Sequence, residues 1–113
     1  MSPADAPLPP AAIHILLAIG PGERHGYAIM NEIATLTGGA VRLAPGTLYT
    51  NIKRLLASGL IEESDERPDP DRDDGRRRYY RLSTAGRRVV TNEIARMESL
   101  ITKTRPWVGE LER

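Results

Sequence analysis

A chain of 113 residues, 40% hydrophobic and 27% charged, has the length and balance of one soluble globular domain with a modest core, so its stability can be shared with a partner subunit. The absence of cysteine excludes disulfides and thiolate metal sites and suits a cytoplasmic protein. A net charge of +1 names no partner, no apolar run approaches membrane-spanning length, and the N-terminus lacks the basic-then-apolar pattern of a signal peptide.

Taken in chain order, residues 1–9 are rich in proline and alanine and are expected to be a flexible N-terminal segment. Pro9 and Pro10 suit a helix start, and Ile13, Leu16 and Leu17 follow at helical spacing, which predicts a first helix over 10–19. Gly20, Pro21 and Gly22 end it. A second helix over 26–37 has Ile29, Ile33 and Leu36 on one face and stops at Gly38 and Gly39. Residues 41–43 alternate and predict a very short strand. Pro45 fits the first turn of a third helix that Gly59 closes. Residues 60–64 read as a strand, 65–77 as a loop, and 78–82 as a returning strand with Tyr80 and Leu82 on its buried face. Ser83 is a good N-cap for a last helix over 84–104, which Pro106 is expected to stop or kink. The fold class is mostly α with a small β-hairpin.

Charge is unevenly distributed. Residues 41–60 carry Arg42, Lys53 and Arg54 and no acid; residues 61–75 carry eight acids against two bases; residues 76–90 carry six arginines and no acid. On a wheel of the third helix, Leu48, Ile52, Leu55 and Leu56 cluster on one side. Gly46, Thr50, Lys53 and Ala57 fall opposite, flanked by Thr47 and Arg54, with Tyr49 and Asn51 on the borders. Small residues let such a helix lie close in a DNA major groove. Thr47, Thr50 and Asn51 can hydrogen-bond bases or phosphates, and Lys53 and Arg54 can neutralise phosphates or reach guanine. The same pattern also describes a solvated amphipathic helix on any small domain.

Arg76, Arg77 and Arg78 lie on the shoulder of the hairpin, where a basic ribbon can straddle a DNA backbone. Asp69, Asp71, Asp73 and Asp74 at its tip would repel phosphate, so either the tip points away from DNA or these acids pair with the arginines. Their spacing does not meet that of a calcium loop, and His14 and His25 have no evident metal partners. In the last helix Val90, Ile94, Met97 and Ile101 repeat at spacings of 4, 3 and 4, continued by Val108 and Leu111. That is a helix-pairing seam; the alternative is a stripe that covers the domain's own core. Met97 and Trp107 are a candidate lining for an apolar space between subunits, and packing alone also accounts for them. His25 reads as a helix-start residue.

Four stretches resemble one family of bacterial transcriptional regulators, PadR: 15–19, His25-Gly26-Tyr27-Ala28-Ile29, Leu43-Ala44-Pro45-Gly46-Thr47-Leu48-Tyr49, and 76–83 with its Arg78-Tyr79-Tyr80-Arg81-Leu82 run. The resemblance covers about 13–86 and is to the smaller subfamily with a single C-terminal helix. It implies a winged helix-turn-helix DNA-binding domain over 10–83 and a C-terminal dimerisation helix over 84–113. The implied protein is a homodimer, usually a repressor, on a roughly palindromic double-stranded operator. It would place the third helix in the major groove and the wing on the backbone or minor groove. Tyr27 can then bond a phosphate or equally pack in the core with only its hydroxyl exposed, and Tyr49, on the border of the outer face, is the better phosphate candidate. Many members respond to small aromatic or cationic compounds; no cofactor and no metal is implied. Ala44 stands where the family often has a capping serine, and the wing loop is long and acidic. Competing readings are a winged-helix protein-interaction module, which acids on the third helix would favour, and a small enzyme, for which no nucleophile–base pair or phosphate loop is found.

Overall fold

The computed structural model describes residues 8–68 and 76–113. In chain order it has α1 (Pro10–Ile19), β1 (Glu23–His25), α2 (Gly26–Leu36), α3 (Pro45–Ala57), β2 (Ile61–Pro68), β3 (Arg76–Leu82) and α4 (Thr84–Leu111). The acidic tip, Asp69 to Asp74, and residues 1–7 lie outside the described residues. Leu8, expected in the flexible segment, packs against the core.

The three helices of the N-terminal half form where their signals are. Pro10 supplies the pre-set backbone angle of a first turn, and Gly20 takes the positive φ (65°) that ends α1. At the end of α2, the Thr37 hydroxyl donates to the Ile33 carbonyl at 2.8 Å and accepts from the Val41 N–H at 3.0 Å. That second bond takes the donor a strand at 41–43 would use. Residues 41–43 accordingly form no strand, and the expectation of one is corrected.

The third strand is β1 instead. It pairs antiparallel with β3, Glu23 opposite Arg81 and His25 opposite Tyr79, so the sheet order is β1-β3-β2. Three residues with two charges carry no alternation that a sequence pattern can show; the pairing with β3 creates the strand. The hairpin is longer than expected, β2 reaching Pro68 and β3 beginning at Arg76, with an irregularity between Ser64 and Arg67.

The core is aliphatic, as a chain without phenylalanine requires. Ile15, Leu16 and Ile19 of α1 meet Ile29 and Ile33 of α2, Leu48, Ile52 and Leu55 of α3, and Ile61, Tyr80 and Leu82 of the sheet. Leu36 shares the face of Ile29 and Ile33 but is 58% exposed, because it is the last residue of α2 and nothing covers it. Helix α4 runs through Pro106 to Leu111, so the proline does not stop it and residues 107–111 continue the same helix. The proline ring removes one donor, that to the Thr102 carbonyl, and Thr102 is exposed, so water can satisfy it.

The start of α4 is locked to the α3–β2 turn. The Ser83 hydroxyl accepts from the Gly86 N–H at 3.0 Å as an N-cap and donates to the Gly59 carbonyl at 2.6 Å. The Ser83 N–H bonds the Leu60 carbonyl at 3.1 Å. Gly86 sits directly on that carbonyl: a Cβ there would stand 2.0 Å from the Leu60 oxygen. Gly86→Ala must therefore move backbone, and is expected to cost about 2–3 kcal/mol or more. A thermal melt should fall by roughly 8 °C or more; an unchanged midpoint would show that α4 is free to lift.

Candidate nucleic-acid interface

The outer face of α3 is built by exclusion. Leu48, Ile52 and Leu55 turn inward, and the helical step then leaves Gly46, Thr47, Tyr49, Thr50, Lys53, Arg54 and Ala57 exposed. Asn51 is half-buried, and its amide donates to the Thr47 carbonyl at 2.9 Å. Ala44 occupies the N-cap with no side chain to offer, as the sequence indicates, so the first-turn amides keep their donor capacity. Nothing lies within 4 Å of where a Gly46 Cβ would point, so the approach to that turn is open. Among the described residues, α3 shows a face whose only charges are Lys53 and Arg54.

Tyr49 does more than border this face. Its hydroxyl end lies against the Gly26 backbone at the start of α2, where a Cβ would be 2.5 Å from the phenolic oxygen and 2.9 Å from the ring carbon bearing it. The glycine of the His25-Gly26-Tyr27 run is thus the seat that lets α3 approach α2. Tyr27 itself is 60% exposed at the same helix end. Tyr80 is buried in the core, which raises its phenol above the usual value, with Glu63 and Tyr49 adding to the rise; it stays neutral at ordinary pH.

His25 is the junction of this region. Its Nδ1 accepts from the Ala28 N–H at 3.1 Å and caps α2. Its Nε2 lies against the Arg77 guanidinium, and its ring meets Tyr79 edge-on, centroids 5.5 Å apart. Arg67 covers Tyr79, its guanidinium 4.3 Å from the ring centre, and also pairs with Glu23. The expected helix-start role of His25 is present, and with it a link to the hairpin that no local pattern shows, because residues 25 and 77 are joined only by the sheet.

The hairpin arginines stand in a field of acids. Arg78 pairs with Glu63 at 3.5 Å and Arg81 with Glu62 at 3.1 Å, both across the β2–β3 ladder. Such exposed pairs add about 0–1 kcal/mol each, but they cut the net positive potential of the strand. Arg76 is on β3, and its side chain lies outside the described residues. The two residues proposed to line an apolar space, Met97 and Trp107, are ten positions apart on α4, about 15 Å along its axis. One chain alone therefore does not bring them together. No group of histidine and acidic residues among the described residues is placed to hold a metal ion, and no helix is long and apolar enough to cross a membrane.

Three helices, a two-stranded wing and a long terminal helix make a winged helix-turn-helix protein. A model of the transcriptional regulator PadR-like family matches residues 15–92, and the chain belongs to that family, whose members are regulators and not enzymes. It is 38% identical over 89 residues to the transcriptional regulator Rv3488 of Mycobacterium tuberculosis, covering 78% of this chain and 76% of that one. It is 36% identical over 90 residues to an uncharacterized 37.1 kDa protein in transposon TN4556 of Streptomyces fradiae, spanning 80% of this chain and only 24% of that protein. The fold is similar to that of a PadR family transcription regulator from Clostridium difficile R20291, with a TM-score of 0.69 at 20% identity, over 87% of this chain and 97% of that one. It is also similar to Bacillus subtilis PadR in complex with operator DNA, with a TM-score of 0.63 at 19% identity, over 74% of this chain and 45% of that one.

The Tyr49–Gly26 seat predicts a coupling. Gly26→Ala is expected to cost about 1–2 kcal/mol in the natural chain, from overpacking. In a Tyr49→Ala background it should cost nothing, or stabilise by up to about 1 kcal/mol as Ala replaces Gly in a helix. Urea melts of the four proteins give the cycle; the same cost in both backgrounds would show that Tyr49 is not the obstruction.

Proposed function

We propose that this regulator binds double-stranded DNA in a sequence-specific way, as a homodimer on a palindromic operator, and represses transcription from it in the cytoplasm. The observation that carries the reading is the α3 face: exposed, free of acids, with short hydroxyl side chains at its N-terminal end and two cations further along. Residues near the N-terminus of such a helix usually meet the bases. Thr47, Thr50 and Asn51 are accordingly assigned to base edges, and Lys53 and Arg54 to phosphates. Gly46 lets the backbone come close, and Tyr27 and Tyr49 reach flanking phosphates. The structural neighbour solved with operator DNA supports the DNA-binding reading. On the wing, Arg77 and Arg78 follow as backbone contacts, with Arg76 beside them. Of these, Arg78 is paired with Glu63, which weakens its contact relative to those of α3.

The homodimer reading rests on α4. Only its first turns meet the domain: Gly86 is buried, and Val89 and Val90 pack against the core. Beyond them Ile94, Ile101, Val108 and Leu111 are 40–69% exposed, so past Val90 these seam residues do not serve this chain's own core. A contiguous apolar stripe of that length marks an interaction surface. Release by a small aromatic or cationic effector, held where Met97 and Trp107 of two subunits come together, completes the reading.

Two measurements check it. Anisotropy with DNA from the chain's own promoter region should show affinity falling steeply with salt, at about −0.9 log unit per log unit for each phosphate neutralised; a flat response, or no binding, overturns the DNA reading. Lys53→Ala should weaken all sequences alike and reduce the salt slope by about 1, whereas Thr50→Ala should change which base is preferred. For the dimer, the doubly substituted Ile94→Asp, Met97→Asp chain should scatter light as a monomer; a persisting dimer would place the interface elsewhere.

A further inference from the structure

His25 stands where the start of α2 meets the wing, and its ring faces both. On one side Nδ1 accepts from the Ala28 N–H at 3.1 Å. On the other Nε2 lies against the guanidinium of Arg77, 52 positions further along the chain, and the ring meets Tyr79 edge-on. The contacts continue behind Tyr79. Arg67 of β2 lies over its ring at 4.3 Å and pairs with Glu23 of β1. All three strands and α2 therefore converge on this imidazole and the phenol ring beside it.

The chemistry of that neighbour matters for Arg77. Arg78 and Arg81 lie against the carboxylates of Glu63 and Glu62, which offset their charge. Donors face both nitrogens of His25, an arrangement that a protonated ring, with an N–H on each, would oppose. The ring is therefore neutral, and it positions the guanidinium while subtracting nothing from its charge. It also holds it loosely. A neutral imidazole has one lone pair to give, and the Ala28 N–H and the guanidinium both face it. A phosphate that takes over the Arg77 hydrogen bonds leaves that lone pair to the α2 cap, so the hand-over strands no donor at this ring.

The start of α2 is in turn tied to α3, through the hydroxyl end of Tyr49 against Gly26. The wing is thus registered against the outer face of α3 by two contacts in series: Arg77 and Tyr79 on His25, then Gly26 on Tyr49. A wing seated in this way presents Arg77 at a set distance from Lys53 and Arg54. A wing that swung independently would have to be ordered on binding, and that ordering subtracts from affinity.

We propose that His25 is a positioning residue for DNA binding: through Arg77 and Tyr79 it seats the wing on α2, so that the Arg77 guanidinium meets the DNA backbone in register with α3. This rests on the reading of Arg77 as a backbone contact and adds what aims it. His25 itself reads no base.

His25→Asn tests it, because asparagine is a good N-cap for α2 but lacks the ring. The far-UV spectrum should stay helical and the thermal midpoint should fall by no more than about 5 °C. In anisotropy with DNA from the chain's own promoter region, the salt slope should shrink by about 1 for each subunit bound, the phosphate that Arg77 neutralises. Affinity should fall roughly five- to tenfold at moderate salt, and the ranking of base variants should not change, since base contacts carry that ranking. Arg77→Ala should shrink the slope equally, and adding His25→Asn to it should cost no further affinity. Tyr79→Leu removes the other support of the ring and leaves the cap, so it should lose affinity as His25→Asn does. It decides the matter alone if His25→Asn does not fold, and natural affinity in it overturns the proposal. A natural slope in His25→Asn, with the slope reduced in Arg77→Ala, overturns the proposal and leaves the wing contact standing. An altered base preference in His25→Asn, or its full loss recurring on top of Arg77→Ala, shows that it acts through α3 and overturns the proposal too. A natural slope in Arg77→Ala overturns both the wing contact and the proposal.

Discussion

Ser83, directly after β3, ties the ends of three other elements to one point. Its hydroxyl makes two of the bonds. It receives the Gly86 N–H that opens α4 and donates to the Gly59 carbonyl that closes α3, while the Ser83 backbone bonds Leu60 at the head of β2. Ser83 is buried, so each of these bonds is shielded from water, and losing one leaves an unsatisfied group at a cost of about 1–3 kcal/mol. Gly86 on the Leu60 carbonyl then leaves α4 no room to change its angle. The direction in which the long helix leaves the domain is therefore set relative to α3. In any dimer built on α4, the spacing between the two α3 helices inherits that angle.

The electrostatics separate two surfaces that net charge merges. On α3 the cations have no acidic neighbours along the helix, and a phosphate approaching Lys53 or Arg54 meets an unopposed field. On the hairpin Arg67, Arg78 and Arg81 each have a carboxylate beside them, from Glu23, Glu63 and Glu62. These three hairpin arginines are thus partly neutralised, whereas Lys53 and Arg54 have no acid on their own helix. For a DNA-binding reading this ranks α3 above the wing, on geometry and on charge alike.

Much of the fold was legible because its signals are local. Proline and glycine bracket α1 and α3, the inward faces of α1 and α3 follow the helical period, and Ser83 caps α4 as a serine at that place should. Leu48, Ile52, Leu55 and Tyr80 are in the core as their spacing indicates. Three errors share a physical cause. The strand expected at 41–43 fails because Thr37 takes the Val41 donor; β1 arises only because β3 comes alongside; and Leu36 is exposed because burial needs a neighbour as well as a face. Pro106 does not stop α4 for a related reason, since an exposed helix can surrender one carbonyl to water.

The candidate site divides in the same way. By itself the sequence determined which face of α3 is polar and free of acid, that His25 begins a helix, and that α4 carries an apolar stripe, because each depends on residues within a few turns of one another. Only the tertiary structure decided what Gly26 is for, that His25 reaches Arg77 and Tyr79, that Arg67, Arg78 and Arg81 are matched by acids, and that the stripe of α4 continues into a groove on α1. Those are contacts between elements distant in the chain. They exist only once the aliphatic core has brought α1, α2, α3 and the sheet around it, and no local period encodes which residue will stand opposite which.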